Sequence, residues 1–501
     1  MMNYSSRARR HGSRPISGTL VAAAVALSLV TMSCAPDSGG GTPSDPGPGT
    51  TSLPAPTARH GDTSVELTWM IEGPAGSTYE WEWRRSGITS WTSATTAGPS
   101  VEVTTGLTPR SFHWARVRHV APDGTTSEWS SGAKFFYADL TLPVVRIDTA
   151  GGAPIVDKEN YLDASLSIDP NGSGDAAYAG STRIRGRGNS TWSAAKKPYR
   201  MKLSSAAGLL GMPPERDWVL LANAFDPSHL RNQVAFDLSR RTGLAWTPEF
   251  RYVEVVLNGS YDGIYMLGSQ IEVGPTRVDI TEMGDDDIAG EELTGGYLME
   301  FDFRLNLAAD PGFISSDGVQ AEVKDPDPPT PEQLSYITSY FNSFEAAVHG
   351  SSYRDPDVGY RAYLDVDAFI DWYLVVEMAK QQDGMWSSTF VSKPRGGKLT
   401  FGPVWDFDLS MGAVNHLTPG WPPEGWWINL PLTGRWVPRI LGDPAMDAQV
   451  RQRWDELRPA FQEVVDAIPA TAAAIGPART TDAARWGVAV GAEDTDASLE
   501  R

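Results

Sequence analysis

The sequence predicts a small all-β sandwich followed by a larger α+β domain, and two observations carry that prediction. Between Thr57 and Asp139 short segments alternate apolar and polar residues, with turn signals between them, which is the two-residue period of half-buried strands. From Leu142 to about residue 470, strand-like runs are interleaved with helical ones, as in an α+β domain. The 501 residues exceed one ordinary domain, and 18 Trp, 16 Tyr and 16 Phe supply ample material for large cores. A net charge of −20 argues against a general nucleic-acid binder, because phosphate contacts need a basic surface. It leaves room for a phosphate held in a local pocket.

The chain opens with Arg7, Arg9, Arg10 and Arg14, then the apolar run GTLVAAAVALSLVTM, then Ser33 and Cys34. That order is a signal peptide over residues 1–34, and the run falls short of the roughly 18–20 residues of a lasting transmembrane helix. Cys34 is the only cysteine, so no disulfide can form within the chain. A lone Cys at the exit of a signal peptide resembles the lipobox of bacterial lipoproteins, although Thr31 stands where Leu is usual. The resemblance implies lipidation at Cys34 and an extracytoplasmic protein anchored to the membrane. Residues 35–56 are a Gly/Pro/Ser linker without apolar periodicity, able to span on the order of 25 Å.

Within 57–139, SVELTWMI and YEWEWRR alternate, and Asp123-Gly124 marks a turn before SEWS. The run GLTP, VRHV and DGTTSEWS resembles a fibronectin type III domain, with Phe112 or His113 where a Tyr commonly follows the GLxP turn. In the larger domain, 142–470, PVVRID and STRIRGRG read as strands. Asp226 caps a helix expected over Pro227–Thr242, which Gly243 ends. EFRYVEVVLNGSYDGIYMLGSQI reads as a hairpin turning at Asn258-Gly259. Thr330 and Gln333 form a capping box ahead of the stripe Leu334, Ile337, Phe341, Phe344 and Val348. DVDAFIDWYLVVEMAKQ is apolar nearly all round and is expected to be a buried helix. Residues 471–501 read as a C-terminal tail.

Three carboxylates, Asp383, Asp406 and Asp408, fall within 26 residues on either side of a predicted hairpin, TFVSK, PRGG, KLTFGPVWDF. Acids gathered this way need a cation, and oxygen ligands suit Mg2+, Ca2+ or Mn2+. RIRGRGNSTW is a Gly-rich, basic connection whose backbone N–H groups and hydroxyls can meet a phosphate. The strand after it alternates Tyr199, Met201 and Leu203 with Arg200 and Lys202, so the two cations share a face.

RGRGNSTW, KKPYRMKL, LLANAFDPSHLRNQVAFDLS, VVLNGSYDGIYML, GGYLMEFD, EVKDPDPPTPEQ and FGPVWDFDLSMG follow in this order over residues 143–460. The set resembles the spore-coat-H (CotH) kinase family. The resemblance implies an α+β atypical protein-kinase-like domain that transfers the ATP γ-phosphoryl group to Ser hydroxyls of proteins, with Mg2+ or Mn2+. It implies Asp383 as the catalytic-loop acid, and Asp406 and Asp408 as metal ligands. Arg187, Asn189 and Ser190 are implied in the phosphate-covering loop, and Lys202, Lys197 and Lys324 as candidate phosphate-contacting lysines. Arg231 and Asn232 match a family LRN motif. Ser269 stands where many relatives carry Glu, leaving Gln270, Glu272 and Glu300 as possible partners of the Lys. Ser388 stands where some relatives carry an Asn ligand. Trp405 and Tyr265 are candidates for adenine stacking or for core packing. The rival expectation is a pseudokinase, or a surface or cell-wall interaction protein using its Trp-rich segments.

Overall fold

The computed structural model describes residues 53–412, 424–427 and 436–487. Cys34, the apolar run before it and most of the linker lie outside the described residues. Among the described residues, no helix is long and apolar enough to cross a membrane.

The first module is a sandwich of two antiparallel sheets. Strands β1 (Thr57–His60), β2 (Val65–Thr68), β3 (Thr78–Arg85), β4 (Thr92–Thr96), β5 (Ser100–Val103), β6 (Ser111–Val120) and β7 (Ala133–Tyr137) form sheets ordered β1-β2-β5 and β4-β3-β6-β7. The predicted alternation sets their inner faces. Val65, Leu67 and Val103 meet Trp81, Trp83, Ala115 and Val117 in one core. His113 is buried near the start of β6; its Nε2 accepts the Thr108 N–H at 3.1 Å, and its Nδ1 faces the Ser111 carbonyl at 3.1 Å. Burial lowers its pKa, which keeps the ring neutral as this bonding requires.

This module is not a free spacer. The His60 N–H donates to the Gly259 carbonyl at 2.7 Å, Arg146 donates to the His60 carbonyl at 2.8 Å, and Arg59 pairs with Asp148 at 2.6 Å. Phe136 and Ala138 pack on Tyr261 beneath these bonds.

The second domain begins with a closed seven-stranded barrel. Its strands are β8 (Val144–Thr149), β9 (Leu162–Asp169), β10 (Tyr178–Gly186), β11 (Tyr199–Ala207), β12 (Glu215–Leu221), β13 (Phe250–Leu257) and β14 (Ser260–Ser269). They close in the order β10-β11-β12-β14-β13-β8-β9, so the barrel has no free edge. Ile184, Tyr199, Met201, Leu203, Val255 and Tyr265 fill it. A single turn, α1 (Ser190–Ser193), follows β10, and α2 (Arg231–Ser239) lies between β12 and β13. Helix α2 starts four residues later than the spacing predicts. Asp226 instead anchors the preceding loop, accepting from Ser228 N and, through its other oxygen, from Arg231 N, each at 3.0 Å.

Next comes a five-stranded sheet ordered β16-β17-β15-β18-β19. Its strands are β15 (Tyr297–Phe301), β16 (Gly312–Ile314), β17 (Gln320–Asp325), β18 (Thr389–Lys393) and β19 (Thr400–Phe401). Helix α3 (Pro331–His349) carries the predicted capping box, and its predicted stripe buries Ile337, Phe341, Phe344 and Val348. Helix α4 (Val366–Ala379) is buried almost throughout and starts at Asp365, whose side chain accepts from Ala368 N. The core of this lobe is continuous with the barrel's outer face through Val219, Ile264 and Met266.

After the short α5 (Val437–Leu441), α6 runs from Pro444 to Trp486. The expected tail after residue 470 is therefore helical through Trp486. Its end is held by long-range bonds: Asp482 pairs with Lys196 at 2.6 Å and accepts the Ile264 N–H at 2.9 Å, and the Trp486 indole donates to the Asp262 carbonyl at 2.9 Å.

Candidate active site

Strand β10 ends at Gly186, and the chain turns over the mouth of a cleft between barrel and sheet. Gly188 has φ of +81°, and a Cβ there would lie 2.2 Å from the Thr191 hydroxyl, so this turn requires glycine. Arg187, Asn189 and Ser190 all line the cleft. The Arg187 guanidinium sits 5.5 Å over the Trp405 ring and, among the described residues, forms no ion pair. Asn189 reaches across to Asp302 at 3.4 Å.

Opposite, the loop after α4 carries Asp383, and the loop after β19 carries Asp406 and Asp408. All three carboxylates line the same cleft. The Ser388 hydroxyl donates to Asp406 Oδ2 at 2.9 Å, so the residue standing in for the family's Asn faces the candidate metal ligand. Asp406 has φ of +65°, a left-handed backbone costing roughly 1–2 kcal/mol. Three hydrogen bonds, made by two side chains, hold it there. Gln381 Nε2 donates to the Trp405 and Asp406 carbonyls at 2.9 and 3.0 Å, and the Phe407 N–H donates to Asn232 Oδ1 at 2.7 Å. The Arg231 Nε donates to the Ser410 carbonyl at 3.0 Å, so both LRN residues organise this loop.

Electrostatics single out the same groups. Burial, reinforced by the charge of Asp406, pushes Asp383 up to about 7. Burial and Asp406 also push Asp408 well above the usual carboxylate range. Glu300, at the cleft wall, is raised to about 7 by burial, although Lys324 opposes the shift. Among the described residues no group of three acids, histidines or cysteines forms a ready metal cage. Two carboxylates with the remaining positions left to water and phosphate is nevertheless the way Mg2+ is commonly bound. Asp408, buried beside Asp406, fits that use.

The lysines separate. Lys324 contacts Glu322 at 2.8 Å and, of the three candidate partners, approaches Glu300 at 3.5 Å. Lys202 does not line the cleft. It stands on the barrel's outer face, 3.5 Å from Asp217, with Asp163 and Arg216 around it. Strand period fixed that Arg200 and Lys202 share a face, but closure of the barrel turns that face outward. Lys197 lies behind the loop, its Nζ on the Trp192 carbonyl at 2.5 Å and 5.1 Å over the Trp192 ring. Tyr265 is sealed in the barrel and cannot stack on a ligand, whereas Trp405 lines the cleft while packing on Phe236 and Phe250. Two cleft residues were not anticipated. Arg304 contacts Asp302 and Ser387, each at 3.3 Å, and Asn223 sits at the barrel side. A larger groove, about 980 Å³ between α4 and α6, includes none of these carboxylates.

The CotH kinase protein family matches residues 184–501, which is more than half of the sequence and contains every one of these cleft residues. The chain belongs to the CotH kinase protein family. No curated protein matches it. Among solved structures, one described as a myokine structure is 18% identical over 17% of this chain and 99% of its own, with a TM-score of 0.15. The FN1–FN3 domains of chicken CNTN1 are 15% identical over 33% of this chain and 66% of theirs, with a TM-score of 0.16. At those scores neither likeness bears on the argument, and the CotH assignment rests on the family match.

Proposed function

We propose that this CotH-family chain is an exported, lipid-anchored protein kinase that moves the γ-phosphoryl group of ATP to Ser hydroxyls of extracytoplasmic proteins. Lipid on Cys34 would tether it, and a fibronectin type III-like module would hold the catalytic domain beyond the linker. One observation carries the catalytic reading: Asp383, Asp406 and Asp408 line a single cleft under a Gly-rich loop. Acid for the hydroxyl, acids for a cation and a loop for phosphates are the working parts of phosphoryl transfer.

In this mechanism Asp383 takes the proton from the acceptor hydroxyl as the oxygen bonds to the γ-phosphorus. The bond from phosphorus to the β–γ bridging oxygen breaks, and ADP leaves. A pKa near 7 suits a group that must accept a proton and then release it. Mg2+ or Mn2+ held by Asp406 and Asp408 would set positive charge against the phosphate oxygens. Ser388 orients Asp406. Glu300 lines the cleft with Lys324 3.5 Å away, while Arg187 and the Gly188–Ser190 backbone face the phosphates from above.

The test is autophosphorylation with labelled ATP, wild type against Asp406→Ala. Transfer by the wild type that the variant loses supports the reading. A wild type that binds ATP but transfers nothing makes the chain a pseudokinase.

A further inference from the structure

A chain of amides runs from the loop of Asp406 to the barrel. The Phe407 N–H donates to Asn232 Oδ1 at 2.7 Å, which fixes Asn232 with its Nδ2 pointing away. That Nδ2 donates to Asn223 Oδ1 at 3.1 Å, which in turn fixes Asn223. The chain ends at Asn223 Nδ2, a donor with no partner. Asn223 is 6% exposed, and its own backbone is left-handed, with φ of +47°. Of the buried side-chain nitrogens and oxygens lacking a partner among the described residues, it is the one that belongs to a residue lining the cleft. Leaving a buried amide donor unmade is costly, and native proteins keep such groups where a ligand supplies the acceptor.

We infer that Asn223 Nδ2 is a ligand-binding donor for a phosphate oxygen of the bound nucleotide, positioned by Asn232 of α2, which is itself held by the loop that carries Asp406 and Asp408. The inference rests on the kinase reading above and goes beyond it by naming a phosphate contact on the barrel side. Phosphate is the fitting acceptor because the other cleft acceptors near this loop are carboxylates reserved for a cation. The cleft holds only about 100 Å³, below the roughly 300 Å³ of ordinary small-ligand sites.

Two substitutions remove the donor differently. Asn223→Asp keeps the oxygen that Asn232 needs, and Asn223→Gly suits the left-handed backbone and adds no charge. Titration calorimetry with ADP, pyrophosphate and adenosine, each with Mg2+, is run on full-length protein beside thermal melting without ligand. The expected result is about a tenfold or greater loss of affinity for ADP and pyrophosphate in both variants, with adenosine binding unchanged. ADP affinity within twofold of wild type in both variants overturns the inference, as does an equal loss for adenosine. A lower melting temperature with ADP affinity preserved also overturns it, since that is a purely structural residue. A wild type that binds neither ADP nor pyrophosphate sinks the kinase reading itself.

Discussion

Two buried acid sites of the larger domain are built by opposite rules. At the end of α6, Asp482 meets Lys196 at 2.6 Å and His229 at 3.5 Å, and it accepts a backbone N–H as well. Burial pushes its carboxyl up, but Lys196 and His229 outweigh burial and hold it at about 2. In the cleft, Asp383 and Asp408 are raised instead, by burial and by Asp406. Acids matched to cations fasten the fold, whereas acids crowded against one another wait for charge from outside. Lys196 marks the limit of the first rule: burial lowers its pKa in spite of Asp482, so the pair gives little net stability while neither partner can be spared.

That contrast fails most visibly if Asp383→Asn leaves turnover intact. The expected loss is about 10²–10⁴-fold, with ATP affinity changed less than about tenfold, measured as phosphate transfer and ATP binding on one preparation. The reverse pattern is expected at the other cluster. Asp482→Ala should cost about 3–5 kcal/mol in denaturant melts, because it strands a buried ammonium, while turnover per folded molecule is kept.

Acid titration sharpens the comparison, since the two clusters respond with opposite sign. The depressed Asp482 favours the fold at neutral pH, and that contribution is lost as pH falls from the unfolded value near 4 towards 2. The raised Asp383 penalises the metal-free fold in full above about pH 7, and the penalty lifts as pH falls from there towards the unfolded value near 4. Metal-free protein should therefore gain stability from pH 8 to 5 and lose it below 4, read as melting temperature against pH. Turnover should fall on the acid side as Asp383 takes up a proton, and Asp383→Asn should erase that limb. The smallest effect is predicted for Lys202→Ala: it leaves the cleft untouched, so turnover should stay within about twofold.

Much of this was legible in the residues. The alternation of β3 and β11, the Thr330–Gln333 box and the buried character of α4 follow from local spacing, and local spacing does not depend on the rest of the chain. The meeting of Asp383, Asp406 and Asp408 followed from motif order. What stayed hidden depends on closure and on distant partners. Nothing in YRMKL says which way the barrel turns Lys202, and nothing near Lys324 names Glu300. The helical end of α6 was hidden by Pro469, Pro477 and alanine-rich composition, because the residue that fixes it, Lys196, lies 286 positions away. Asn223 gave no signal at all, since an unmade hydrogen bond is visible only in three dimensions.

Helix α6 also governs how this molecule can move. Its 43 residues have a contour of about 65 Å. Near its start, Arg453 grips Asp371 of α4 through two bonds of 2.7 and 3.0 Å. Near its end, Asp482, Arg485 and Trp486 grip the β14 hairpin. One helix thus ties α4 to the β14 hairpin, and moving those two elements apart would have to bend it or break a buried ion pair.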